Sequence, residues 1–450
     1  FCLSRGLGDV YKRQALDLAK YLKLIDPGAV VAHSGVGELV RGYLAELGGQ
    51  LPVVGIGSGH GFAIDYETLL AAQPEHDPGM DVKADDIYQL GATSGTTGTP
   101  KAAILTHHNA IAAELNWMAE LQVRDSSTAL QCIPMFFNPG GPASLHPALI
   151  KGGRTVIMPS FDPASFMRLV PEYGVQYTIL VPTMLGMVLN HPDCGNHDLT
   201  SLRGIMSGGS PMPAEILSRA NQVIGRDVLR PIFGMAETYS CGMILRPECQ
   251  FLEGTEAEVR RLSSAGKPMV LMQVRVVTDD GTDVARDNQT PGEIWLQGDT
   301  VSPGYYRMPE ETATSRVDGW FKSGDVAVMD ADGFVTIVDR KKDIIISGGI
   351  NVYSRDIEEV LFTHPAVMLA AAIGIPHEVW GESVHAVVQL KPGHQATGDE
   401  LLAYAAERLA SYKKPRSLEI VAAMPLSGTG KILKTDLRAK HWAGRTRRVG

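Results

Sequence analysis

No CxxC pair and no other metal-ligand spacing occurs among the five cysteines, Cys2, Cys132, Cys194, Cys241 and Cys249. That excludes a disulfide scaffold or a zinc ribbon, and it reads as reduced thiols in a cytoplasmic protein. No apolar run approaches the ~20 residues that a membrane helix needs, so no transmembrane segment is expected. Positive charge is in deficit: 41 Lys and Arg against 50 Asp and Glu give a formal net charge of -9. No nucleic acid partner is expected on that balance, and the only dense basic run is RTRRVG at the extreme C-terminus. Internal repeats and low-complexity segments are absent as well. What remains is 44% hydrophobic and 20% charged over 450 residues, a globular composition long enough for two or three domains.

The densest local signal is TSGTTGTPK at 93 to 101. Its glycines let the backbone turn N–H groups onto phosphate oxygens, and Ser94, Thr96, Thr97 and Thr99 add hydroxyl donors. A run of this composition is often only a surface loop. It is not a Walker A, because Gly95 and Gly98 enclose two residues where that motif has four, and Pro100 precedes Lys101. DIYQLGA before it reads as a strand and HHNAIAAELNWMAELQ after it as a helix, which puts the loop where α/β proteins bind phosphates. A second Gly-rich turn, PLSGTGK at 425 to 431, presents Lys431. Together the two suggest nucleotide chemistry shared between distant regions of the chain.

From 150 to 235, apolar runs such as RTVIMP, YTILVP and GIMSGG alternate with helical patterns such as PASFMRLVPEYG and PAEILSRANQVIG. This predicts an α/β fold with a doubly wound parallel sheet. From 265 to 340 the pattern becomes short strands, MQVRVVT, GEIWLQG and GFVTIVD, predicting a small β subdomain. After KKD a strand-like IIIS, a helix with Ser354 as N-cap, and a second helix opening on the capping-box match TGDE predict a compact α+β unit. Residues 340–343 are charged and thin in apolar side chains, as a hinge would be. FCLSRGLGDVYKRQ does not join naturally to ALDLAKYLKLID, so positions 1–14 read as a non-native scar.

TSGTTGTPK, FGMAET at 233 to 238, SGD at 323 to 325, DRKKDIIISGGINVYSRDIEEV at 339 to 360 and PLSGTGK occur in one order and at one rough spacing. In that order and spacing the chain resembles the adenylate-forming (ANL) superfamily of acyl-CoA synthetases, AMP-dependent synthetases and ligases, peptide-synthetase adenylation domains and luciferases. GGSPMP, PGEIWLQG and PGYYRMPEET fill the gaps. The resemblance covers nearly everything from about residue 15 to 435. It implies a large N-terminal AMP-binding domain over 15–339, missing its native start, then the hinge and a small mobile α+β C-terminal domain over 344–450. It further implies an ATP-dependent carboxylic acid:CoA ligase working through an acyl-adenylate, with Mg²⁺, ATP and coenzyme A, on a fatty or other apolar acid. An adenylation enzyme that loads a carrier protein is the rival within the class, and an inactive nucleotide-binding or interaction protein the rival outside it. A homo-oligomer is left open.

Carried over position by position, the resemblance makes Lys431 the cation that bridges the substrate carboxylate and the α-phosphate, and Glu237 the Mg²⁺ ligand. Thr93, Ser94, Gly95, Thr96, Thr97, Gly98 and Lys101 would wrap the phosphates. Phe233 and Gly234 with Gly208, Gly209 and Ser210 would flank the adenine, and Asp325 and Arg340 would hold the ribose. The family commonly has threonine at Ala236, so a phosphate contact is missing there, which the nearby hydroxyl of Thr238, itself assigned to the nucleotide site, could compensate. Phe137, Asn138, Gly208 and Met235 would line the acyl pocket. Amino-acid-activating relatives carry an aspartate in the segment of Phe137 and Asn138, and many acyl-CoA synthetases have histidine at Phe137. Lys342 falls at the hinge, and Ser347, Gly348 and Gly349 at the turn that would approach the CoA thiol.

Overall fold

Short runs that alternate with amphipathic helices, each too brief to bury itself, find one another in the centre of the chain. The computed structural model describes residues 20–46, 51–93, 101–133, 135, 145–209, 212–426 and 432–443. The chain divides into two units, Phe1–Val274 with Leu296–Phe321, and Arg275–Trp295 with Lys322–Gly450.

The first unit opens with a parallel three-stranded sheet, β1 (Val30–His33), β2 (Val53–Ile56) and β3 (Ile64–Asp65), accompanied by helices α1 (Gly37–Glu46) and α2 (Tyr66–Ala71). Val30, Ala32, Val36, Val40 and Val53 form its small core. Next come β4 (Ile87–Thr93) and β5 (Lys101–Thr106), an antiparallel pair in which Thr93 faces Lys101. The glycine loop is therefore the connection of a hairpin, not of a strand to a helix. KAAILT is too short an apolar run to separate by pattern from the helix α3 (His107–Leu121), whose capping box begins at Thr106.

The expected doubly wound sheet is present. It is built from β6 (Thr128–Gln131), β7 (Arg154–Ile157), β8 (Tyr177–Ile179), β9 (Gly204–Ser207), β10 (Leu229–Phe233), β11 (Met243–Ile244) and β12 (Lys267–Pro268). The order across it is β7-β6-β8-β9-β10-β11-β12, parallel as far as β10 and antiparallel beyond. Helices α4 (His146–Ile150), α5 (Pro163–Tyr173), α6 (Pro182–Leu189) and α7 (Ala214–Val223) supply the crossovers. Phe166, Met167, Leu185, Leu189 and Leu217 from these helices pack with Leu130 and Ile205 of the strands. A parallel sheet covered on both faces accounts for strands that read as continuous apolar runs.

The short strands expected after residue 265 are β13 (Met272–Val277), β14 (Gly292–Gly298), β15 (Arg316–Val317), β16 (Trp320–Met329) and β17 (Val335–Arg340). The division into units falls inside β13, β14 and β16. In the second unit β18 (Ile345–Ser347), β19 (Ile350–Val352), β20 (Val367–His377), β21 (Gly381–Leu390) and β22 (Ser417–Ile420) form one sheet, with helices α8 (Ser354–Phe362), α9 (Gly398–Arg408) and α10 (Lys434–Trp442). Alternate residues of β21 serve opposite faces. Val384, Ala386 and Val388 join Ile357, Leu361 and Leu401 of α8 and α9, whereas Val387 joins Leu437 of α10. Among the described residues no helix is long and apolar enough to cross a membrane.

Candidate active site

In the first unit the PGYYR segment zips onto β5. Ile104 N–H donates to the Gly304 carbonyl at 2.9 Å, and Tyr306 N–H donates to the Ala102 carbonyl at 2.8 Å. This brings Tyr305 to the exit of the glycine loop, where the Lys101 ammonium lies 4.9 Å from the centre of its ring. The Tyr305 hydroxyl donates to Glu237 Oε1 at 2.7 Å. Burial, then the Glu237 charge, push the phenol well above the ordinary tyrosine range, so it stays a donor. Ser302 N–H donates to the Glu237 carbonyl at 2.7 Å and fixes the same turn. Lys101, Tyr305 and Glu237 thus form one row of cation, phenol and carboxylate.

Glu237 sits in a 3₁₀ turn, Ala236–Thr238, directly after β10. The turn is tight: a Cβ on Gly234 would land on the Ser240 carbonyl, and Tyr239 and Ser240 both have positive φ, 52° and 65°. Two consecutive side-chain-bearing residues in the left-handed region are strained, and such strain gathers at functional loops. Phe233, Gly234 and Met235 are half-buried beside Glu237, and Gly208 is held against the Ile232 carbonyl of β10. Gly209 follows with φ of 86° and is exposed. Thr238 departs from expectation. It is fully buried and its hydroxyl bonds the Met235 backbone at 3.3 Å, so it does not stand in for the hydroxyl missing at Ala236. Deeper in the unit, His146 Nδ1 lies 2.8 Å from the buried Glu114 carboxylate, whose pKa burial pushes up to about 7 against the pull of His146.

In the second unit Asp325 of β16 and Arg340 of β17 are register partners, and Arg340 Nε donates to Asp325 Oδ1 at 3.1 Å. Asp325 is buried while the guanidinium is half exposed. Lys342 follows, half-buried, its pKa pushed below the ordinary lysine range by burial first. The residues expected to hinge, 340–343, lie inside this unit and beside an ionic network. Asp343 pairs with Arg438 at 2.8 Å, Lys434 pairs with Glu358 at 2.6 Å, and Lys434 Nζ donates to Ser354 Oγ at 2.6 Å. Burial opposes the Lys434 charge, but Glu358, Asp339 and Asp343 outweigh it and its pKa rises. Ser354 is the first residue of α8, not its N-cap. Its N–H and hydroxyl both donate to Asp339 Oδ2, at 2.5 and 2.8 Å, so a carboxylate from β17 caps the helix.

Ser347 pairs with Ile350 across β18 and β19, leaving Gly348 and Gly349 as the two central residues of a hairpin with φ of 61° and 81°. Positive φ at both positions is the tight-hairpin geometry that glycine supports. Gly348 N–H donates to the Trp380 carbonyl at 2.9 Å. The Trp380 ring is stacked between His377, 4.4 Å between centroids, and the Arg416 guanidinium, 3.8 Å away.

Ser94, Gly95, Thr96, Thr97, Gly98, Phe137, Asn138, Ser210 and Lys431 lie outside the described residues. Two groups escape a reading of the sequence. Tyr305 is visible there only as part of PGYYR, with no sign that it bonds a residue 68 positions away. Trp380 carries no signal except that a lone tryptophan follows a histidine by three positions.

The AMP-binding enzyme family model matches residues 17–306, and the model for the AMP-binding enzyme C-terminal domain matches 356–431. A feruloyl-CoA synthase of Amycolatopsis sp is 37% identical over 371 residues, 82% of this chain and 73% of that protein. The medium/long-chain-fatty-acid–CoA ligase FadD8 of Mycobacterium tuberculosis is 34% identical over 396 residues, 86% of this chain and 67% of its own length. Among solved structures, the o-succinylbenzoate CoA synthetase MenE of Bacillus subtilis, in complex with its acyl-adenylate intermediate, aligns with a TM-score of 0.78 at 27% identity, covering 95% of this chain and 91% of that one. Motifs in order, a doubly wound sheet whose last parallel strand runs into the Glu237 turn, and identity at this level over most of the length have one common source: the chain belongs to the AMP-binding enzyme family, within the adenylate-forming superfamily.

Proposed function

We propose that the chain is an ATP-dependent carboxylic acid:CoA ligase that forms an acyl-adenylate and pyrophosphate, then exchanges AMP for the CoA thiol. The observation that carries this reading is the row of Lys101, Tyr305 and Glu237 at the mouth of the glycine loop. Joining an acid to ATP brings one anion onto another, and a site must offset that repulsion with fixed donors and cations. Lys101 supplies a cation, and Tyr305 orients the Glu237 carboxylate by occupying Oε1. A carboxylate so held fits the hard-oxygen preference of Mg²⁺, which when bound would neutralise phosphate charge. Lys431 is assigned the bridging role between the acid and the α-phosphate, and Asp325 with Arg340 the ribose hydroxyls. Lys342 is assigned to the hinge and the turn of Ser347, Gly348 and Gly349 to the thiol. An apolar acid is supported by Phe137 and Asn138 where amino-acid-activating relatives carry an aspartate, and by relatives named for feruloyl and fatty acyl groups.

The test is ATP–pyrophosphate exchange with a panel of fatty and aromatic acids, followed by AMP release with and without CoA. Acid-dependent exchange with CoA-dependent AMP release is expected. Exchange without turnover on CoA, restored by a carrier protein, would replace the acceptor in this reading. No exchange with any acid would remove the ligase assignment.

A further inference from the structure

One cluster of ligand-type side chains lies apart from everything described above. His385 of β21, Glu419 of β22 and His441 near the end of α10 each bring one potential ligand atom within 4.8 Å of the others. Their convergence follows from the fold. His385 is the register partner of Ser417, so it points to the same face of the sheet as Val387, the face that α10 covers. Glu419 lies two positions after Ser417 on that face. His441 comes from α10 itself, anchored on either side by Leu437 in the core and by Trp442 Nε1, which donates to the Gly374 carbonyl at 3.0 Å.

The hydrogen bonding of the cluster is incomplete in a specific way. His385 Nδ1 lies 2.7 Å from Ser417 Oγ, and when Nδ1 is the donor of that bond the outward Nε2 carries the lone pair. His385 Nε2 and His441 Nε2 are both buried with no hydrogen-bond partner among the described residues. The His385 side chain is only 8% exposed, and its Nε2 stands 3.9 Å from Glu419 Oε2. The two imidazoles are 4.9 Å apart between centroids. Two buried imidazole nitrogens without a hydrogen-bond partner among the described residues, in a cluster with a carboxylate and with the other nitrogen of one imidazole already held by a hydroxyl, match the donor set of a metal centre with its supporting contact in place.

We propose that His385 Nε2, His441 Nε2 and a Glu419 carboxylate oxygen bind one divalent transition-metal ion of the zinc type, pinning the end of α10 to β21 and β22. Imidazole nitrogens favour zinc, copper and nickel over magnesium, so the site is distinct in preference from Glu237. Zinc bonds of about 2.0 to 2.2 Å in a tetrahedral shell put ligand atoms roughly 3.4 Å apart, so the three side chains have to draw together from a spread of up to 4.8 Å when the ion enters. His441 and Glu419 are partly exposed, which provides an entry path and room for water as the fourth ligand. One group competes: the Lys440 ammonium is paired with Glu419 Oε2 and has to swing away when the ion enters. Lys440 is 46% exposed, so solvent is open to it.

The experiment uses the full chain stripped of metal with a chelator, titrated with Zn²⁺ alone by calorimetry and by thermal unfolding, without ATP or acid. Expected are one equivalent bound, a raised Tm, and a ligand-field spectrum of low symmetry when Co²⁺ replaces Zn²⁺. His441→Ala and Glu419→Gln should each weaken binding about tenfold or more and abolish the Tm rise. Lys440→Met, a change at an exposed side chain, should strengthen binding by removing the competing cation. Zinc binding of equal strength in His441→Ala would place the ion at another site and overturn the proposal. Absence of stoichiometric binding in both the parent and Lys440→Met would overturn it as well.

Discussion

At the scale of single residues, the bond from Tyr305 to Glu237 separates a structural from a chemical reading of FGMAET. Tyr305→Phe keeps the ring beside Lys101 and removes only the hydroxyl that donates at 2.7 Å. A hydrogen bond to a charged group contributes about 1.5 to 3 kcal/mol to stability, so the urea midpoint should fall modestly, while acid-dependent pyrophosphate exchange by the folded enzyme should fall roughly 10- to 100-fold as Glu237 loses its fixed orientation. Glu237→Gln should lose more and shift the magnesium dependence of exchange; an unshifted dependence would take Glu237 out of the metal site. Glu114 allows a test by pH alone. Its folded pKa of about 7 lies above the ordinary 4.5 because burial disfavours the charged form. A raised carboxyl pKa means the folded state holds the proton more tightly. Its contribution to stability is complete below about pH 4.5 and is lost as pH rises through about 7, on the order of 3 kcal/mol in all. Glu114→Gln should flatten that part of the stability profile in urea titrations between pH 4.5 and 8, and an unaltered slope would show that another group is responsible.

At the scale of elements, the cap of α8 and the Lys434 network make one mechanical piece. Lys434→Ala would leave the Glu358 and Asp339 carboxylates without their cation in a largely buried setting, which costs about 3 to 5 kcal/mol. The matched pair Lys434→Met with Glu358→Met should recover much of that loss, measured as urea midpoints of the four combinations in a double-mutant cycle. None of this is visible along the sequence. Ser354 has the chemistry of an N-cap, and only the fold reveals that Asp339, 15 residues earlier, performs the capping while Ser354 receives it. The capping box at Thr397 and Glu400 is legible because both partners are local, and it is present as expected. The parallel strands and their helices are legible for the same reason, since periodicity is a local property. What stays hidden is pairing at long range: β5 against the PGYYR segment, and Tyr305 against Glu237. The glycine-rich motifs give the chemistry of the site in outline, but not the phenol that orients its carboxylate.

At the scale of the whole molecule, the proposed reaction has two halves that draw on different residues. Lys431→Ala should cost about 10² or more in acyl-adenylate formation and leave thioester formation from supplied acyl-AMP comparatively intact. Gly349→Trp should do the reverse. The backbone there has φ of 81° and nothing stands near its missing Cβ, so space is available but the conformation is strained; Gly349→Asn serves as the control for strain without bulk. Single-turnover measurement of each half-reaction checks both variants, and equal losses in the two halves would dissolve the proposed division of labour. The second unit is also discontinuous in sequence, Arg275–Trp295 joining Lys322–Gly450. Anyone building chimeras from relatives therefore meets a crossover problem. A gene joined once, at the start of the C-terminal family match near residue 356, cuts inside α8 and takes Asp339, Asp343 and Ser354 from one parent but Glu358, Lys434 and Arg438 from the other. Parents that differ at Asp339, Asp343, Lys434 or Arg438 would yield destabilised hybrids from that junction. The paired exchange of 275–295 together with 322 onward should keep each set of ion partners from a single ancestor.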